Sequence, residues 1–181
     1  MSLHQFGLNL IQLTDPTTIE KLYEASETGV NIELIICRRC SLKPGVKGLS
    51  ENIRVISIVG RFLAHSRIYC FGNGYEMPAA ESKVYLGSAD WMERNFDDRV
   101  ELMVSIENAT VHKQIIEQIM VANIIDTKQS WVLLENGQYR RQYAENTFCS
   151  QSYFQATHSY SGLGSRKIDV RTPNLAKLIV R

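Results

Sequence analysis

Apolar positions along this chain switch repeatedly between two spacings. After Asp15-Pro16, the residues Ile19, Leu22, Tyr23 and Ser26 recur at helical intervals. An Asp-Pro pair suits a helix start, because aspartate caps free N–H groups and proline at the first helical position gives up no bond. Gly29 can take the left-handed conformation that closes such a helix. "NIELIIC" follows as an unbroken apolar run and predicts a buried strand. "RVISIVG", "HSRIYCF", "KVYLGSAD" and "RVELMVSI" predict further strands, with 72–82 an irregular connection. Helical spacing returns over 111–125, with Ile115, Ile119 and Ala122 on the apolar face. "WVLLENGQYRRQY" predicts a tight hairpin in which Asn136-Gly137 suits a type I′ turn. "TFCSQSYFQATHSY" predicts one more helix.

These elements place a domain over 15–160. Residues 1–14 are expected to be a lead-in without structural weight. From 161 onward "SGLGSRKIDVRTPNLAKLIVR" is basic and turn-rich, a tail that is flexible or orders on contact. Helices mixed with five or more strands point to an α/β domain, a mixed sheet flanked by helices.

Composition narrows the class without naming a partner. The chain has 181 residues, 44% of them hydrophobic, enough for one domain with a sizeable core. A net charge of +1 carries no whole-surface signal for nucleic acid or membrane. No apolar run approaches the ~20 residues of a transmembrane helix, and the start lacks the features of a secretory signal. Cys37 and Cys40 form "CRRC", which opens the long turn-rich loop expected over "CRRCSLKPGVKGLSENIRV"; no second C-x-x-C completes a zinc site, and a loop, not a helix start, follows the pair. Reduced thiols in a cytoplasmic protein are the expectation.

Charge gathers among apolar residues in three places: "CRRCSLKPG", "RFLAHSRIYCFGNG" and "GSADWMERNFDDRVE". In an extended strand alternate residues share a face, so His65, Arg67, Tyr69 and Phe71 would lie together. An imidazole and a guanidinium projecting into one space suit a bound phosphate. Guanidinium groups grip phosphate oxygens as a bidentate fork, and histidine serves as nucleophile or acid near neutral pH. Gly87-Ser88 offers room for an oxygen-rich ligand and one hydroxyl donor.

The order H-x-R, hairpin, G-S resembles the H-x-K…G-S signature of the phospholipase D superfamily, with arginine in place of lysine and a longer gap. Longer strings are more specific. "TIEKLYEASETGVNIELII", "LKPGVKGLSENIRVISIVGRFLAHSRIYCFGNG", "VYLGSADWMERNFDDRVE" and "LLENGQYRR" resemble, in order, the carboxy-terminal region of the ATP-dependent polyphosphate kinases. That resemblance implies a phospholipase D-like domain, the second of two. It implies reversible transfer of the terminal phosphate of ATP to polyphosphate, with Mg2+ held mainly by residues outside this chain. It makes His65 the catalytic candidate, and His65, Arg67 and Arg99 the phosphate contacts. The phosphorylated histidine of the family belongs to the first domain, so the partners implied are ATP or ADP, polyphosphate and the remaining domains of a longer enzyme; a homo-oligomer is compatible. The family's ATP-contacting arginine at the end of the first strand falls on Cys37, leaving Arg38 as the candidate substitute, although on a strict strand Arg38 points to the opposite face. Two alternatives stay open: a non-catalytic polyanion-binding module, and a phosphodiesterase of the phospholipase D class.

Overall fold

The computed structural model describes residues 5–145 and 147–159. Its core is one eight-stranded mixed sheet. The first strand, β1 (Gln5–Leu13), sits inside the stretch expected to be a lead-in, and it is central. Burial accounts for this: Leu8, Leu10 and Leu13 are fully enclosed, and Phe6 and Ile11 nearly so. The expected lead-in over 1–14 therefore gives way to a core strand, and the boundary at 15 cuts through the sheet. The basic tail from 161 lies outside the described residues.

Helix α1 (Pro16–Glu27) begins as expected, with Asp15 Oδ2 accepting the Thr18 N–H at 2.7 Å and Pro16 in the first turn. Gly29, at φ +88°, follows its end. Next come β2 (Asn31–Cys40), β3 (Ile53–Ile58), β4 (Ile68–Phe71) and β5 (Lys83–Gly87). A short helix α2 (Glu93–Asp97) leads to β6 (Met103–Ser105). A single helical stretch then runs through α3 (Ala109–Lys113), a π-helical segment (Gln114–Met120) and α4 (Val121–Ile124). The hairpin β7 (Ser130–Leu133) and β8 (Tyr139–Arg141) and helix α5 (Ser150–Ala156) complete the domain.

The strand order is β6-β5-β4-β1-β2-β3-β7-β8. Strands β1, β2 and β3 are mutually parallel, and β4 and β7 flank them antiparallel. Alternation assigns the two faces. Leu8, Leu10, Leu34 and Ile36 share a cluster with Ile19 and Leu22 of α1. Ile35, Ile56 and Cys70 pack with Ile115, Ile116 and Met120 of the long helical stretch. This is the mixed sheet flanked by helices expected from the sequence.

Two local expectations change. "CRRC" belongs to β2 and not to a loop, because Gln12 pairs Arg39 and Leu13 pairs Cys40. The β7–β8 turn is not type I′, which needs positive φ at both central residues. Only Gly137, at φ +81°, has it, and the Gly137 N–H donates to the Leu134 carbonyl at 2.9 Å. That pattern fits a type I turn closed by a left-handed glycine.

Candidate active site

Sheet direction brings every sequence-derived candidate to one edge. The carboxyl ends of β1, β2 and β3 point the same way, which is where open α/β sheets bind ligands. Antiparallel β4 and β6 start at that edge, and β5 ends there. Arg38 lies near the end of β2, His65 and Arg67 just before β4, Gly87-Ser88 at the end of β5, and Arg99 just before β6.

His65 and Arg67 do not share a strand face, since β4 begins only at Ile68. The pairing of β1 with β4 runs out at Asn9–Ile68, and another segment takes the place of β4 beside the end of β1. Trp91 donates to the Gln12 carbonyl, and its own carbonyl accepts from Thr14 and Asp15. Asp90, 8% exposed, accepts the backbone N–H groups of Ile11 at 3.1 Å and Gln12 at 3.3 Å through Oδ1. Its Oδ2 pairs with Arg67 Nη2 at 3.1 Å. Arg67 Nη1 donates to the His65 carbonyl at 3.1 Å, and the buried Nε has no partner among the described residues. His65 itself is exposed.

Gly87-Ser88 serves differently from the sequence expectation. The Gly87 N–H donates to the Arg67 carbonyl at 3.0 Å, which carries the β4–β5 ladder outward. The room that glycine leaves is filled by Tyr69, whose ring would lie 2.7 Å from a Cβ at position 87. The Ser88 hydroxyl is committed as well: it donates to Glu101 Oε2 and accepts the Leu102 N–H at 2.9 Å. Buried Asn95 donates to the other Glu101 oxygen at 2.6 Å. Hydrogen bonds from Ser88 and Asn95, then the charges of Arg99 and Arg67, hold the Glu101 carboxyl below its ordinary range. Glu101, Asn95 and Asp90 are thus the polar residues that tie the edge together, and sequence reasoning did not single out Glu101. Its signal was present in the string "DDRVE", where it lies two residues beyond Arg99.

A cavity of about 480 Å³ opens at the same edge, between the sheet, the π-helical segment and α5. Asn9, Cys37, Ala64, Ser66 and Phe154 are among its lining residues. Ala64 and Ser66 face it and His65 and Arg67 do not, as alternation in an extended chain requires. Asn9 is 1% exposed, and its Oδ1 has no partner among the described residues. The register of β1 on β2 shifts here, with Cys37 and Arg38 standing opposite Ile11 alone. Even so, Cys37 lines the cavity, whereas Arg38 is exposed and off its wall. Burial, then the nearby Asp90 charge, pushes the Cys37 thiol up. Among the described residues no three His, Cys, Asp or Glu side chains converge to hold a metal ion, and no helix is long and apolar enough to cross a membrane.

Residues 4–152 match the family model "Polyphosphate kinase C-terminal domain 2". A polyphosphate kinase of Erythrobacter litoralis is 48% identical over 170 residues, covering 93% of this chain and 24% of that protein. One of Dictyostelium discoideum is 44% identical over 142 residues, covering 78% of this chain and 13% of its own. The crystal structure of polyphosphate kinase from Porphyromonas gingivalis superposes with a TM-score of 0.77 at 31% identity, over 84% of this chain and 23% of that one. The chain therefore spans about a quarter or less of the length of these relatives. With the family model spanning most of its length and the mixed, helix-flanked sheet in place, the chain belongs to the polyphosphate kinase C-terminal domain 2 family and has a phospholipase D-like fold.

Proposed function

We propose that this domain forms one wall of the transfer site of an ATP–polyphosphate phosphotransferase. In that reaction the bond between the terminal phosphorus of ATP and its bridging oxygen breaks, a bond from that phosphorus to the polyphosphate end forms, and ADP leaves; the reverse restores ATP. The observation that carries the reading is the gathering of His65, Arg67, Arg99 and Arg38 at one sheet edge in a chain of this family. His65 takes the catalytic role, since its exposed imidazole can meet a phosphate and assist transfer. Arg67, oriented by Asp90, and Arg99, balanced by Glu101, contact phosphate oxygens through their remaining N–H groups. Arg38 binds at the rim, because Cys37 occupies the wall.

The adjoining cavity is a compartment for the nucleotide. Mg2+ comes with ATP or through ligands elsewhere in the longer enzyme, which also supplies the phospho-accepting histidine. Four unpaired cysteines fit a reducing cytoplasm. The Cys37 thiol at the wall favours a second reading, a domain that binds polyanions without turnover. In a full-length enzyme carrying this domain, His65→Ala separates the two. Loss of transfer with unchanged thermal unfolding supports catalysis, and near-normal turnover refutes it.

A further inference from the structure

Beyond Arg38 at the rim, the other half of the same edge carries two arginines that the transfer site does not use, Arg61 and Arg141. β8 runs antiparallel to β7, and β7 antiparallel to β3, so β8 ends where β2 and β3 end. The register fixes the level: Ser57 pairs Trp131, and Trp131 pairs Arg141. Arg141, the last residue of β8, therefore stands one step short of the end of β3. Arg61 lies three residues beyond the end of β3, and Arg38 lies near the end of β2. In strand order the three residues come from β2, the segment after β3, and β8, and β2 to β8 is three strand spacings, about 14 Å.

Their partners set them apart from Arg67. Arg67 is held by a buried carboxylate, whereas none of Arg38, Arg61 and Arg141 is ion-paired among the described residues. Aromatic rings steady two of them instead. Arg61 lies 5.3 Å from the Phe62 ring centroid, and Arg141 lies 5.7 Å from that of Tyr143. Arg141 also donates one bond, to the Lys128 carbonyl at 2.9 Å. A ring orients a guanidinium without neutralising it, so the charge and most of the N–H fork stay available to an anion.

We infer that Arg61 and Arg141 continue from Arg38 as a track that holds a polyphosphate chain across the sheet edge, leading away from the point of transfer. The track rests on the reading that this edge handles polyphosphate, and it adds a length preference. A short anion meets one arginine, whereas a chain long enough to cross three strand spacings meets all of them. Calorimetric titration of the 181-residue chain with long-chain polyphosphate and with tripolyphosphate tests this on wild type and on the double variant Arg61→Gln/Arg141→Gln. Both side chains are exposed, so circular dichroism should be unchanged. Expected is a loss of about tenfold or more in affinity for the long chain, with tripolyphosphate binding within about twofold of wild type. Arg61→Lys/Arg141→Lys should recover part of the loss through its point charges. If wild type prefers the long chain and the glutamine variant prefers it equally, the track is overturned while the proposed function stands. If wild type binds neither anion, the proposed function fails and the track with it.

Discussion

Asp90 holds Arg67 with one carboxylate oxygen and the backbone of β1 with the other. One side chain therefore closes a gap in the ladder and aims a candidate phosphate ligand. The gap exists because β4 stops pairing β1 at Asn9–Ile68 while β1 continues to Leu13. The Ile11 and Gln12 N–H groups find the carboxylate in place of a strand.

Asp90→Ala would orphan both N–H groups and take from Arg67, its side chain 21% exposed, its ion-pair partner. Breaking a pair of this kind by removing one member costs about 3–5 kcal/mol. Urea unfolding should show that loss. A change below about 1 kcal/mol would mean that water replaces the carboxylate without penalty.

Gly87→Ala should be destabilising although the position lies at a strand end. The added Cβ meets the Tyr69 ring at 2.7 Å, and the Tyr69 hydroxyl donates to the Ala89 carbonyl beside Asp90. Overpacking of this kind costs about 1–3 kcal/mol, readable as a lower melting temperature. Tyr69→Phe in the same background should not relieve it, because the ring carbons clash as well as the oxygen.

The thiols should be slow. Burial pushes Cys40 up to about 11 and Cys70 up to about 12, and raises Cys37 as well. At neutral pH these three are protonated, and the thiol form is a poor nucleophile. Reaction with Ellman's reagent should be much slower in the native chain than in urea for three of the four cysteines. Prompt modification of both Cys37 and Cys40 would revive a redox role for "CRRC".

Much of this was legible from the residues. Asp15-Pro16, Gly29 and the spacing of Ile19 and Leu22 defined α1, since caps and periodicity act locally. The hairpin and the long helix were legible for the same reason. β1 was missed because its place at the chain start outweighed its apolar run, although a strand's partners cannot be seen locally. The start of β4 was misjudged because "HSRIYCF" has strand composition throughout, while the pairing that makes a strand is lost at Asn9 to Asp90 and Trp91. Of the site, H-x-R and G-S were found as strings, but the dependence of Arg67 on Asp90 and of Ser88 on Glu101 is a matter of three-dimensional neighbours.

The chain alone should not make polyphosphate from ATP and Mg2+. It spans about a quarter or less of its relatives, and the resemblance assigns the phospho-accepting histidine to another domain. Polyphosphate detection after incubation checks this, and robust synthesis would overturn the two-domain account.

Glu101 gives the edge an acid sensitivity whose sign can be worked out. Its carboxyl is held below the ordinary 4.5, first by the Ser88 hydrogen bond, then by Asn95 and the charges of Arg99 and Arg67. A carboxyl with a lowered folded-state value binds fewer protons than in the unfolded chain. Stability rises with pH wherever the unfolded chain holds the extra proton. The contribution is therefore complete above 4.5 and is lost as pH falls through the lower, folded value. Glu101→Gln cannot titrate, so its stability should fall less steeply than wild type below that point. Unfolding midpoints measured from pH 7 down to pH 3 compare the two slopes. Parallel curves would mean that Ser88 and Asn95 hold the protonated acid as well as the carboxylate, and that Glu101 orders the edge by shape alone.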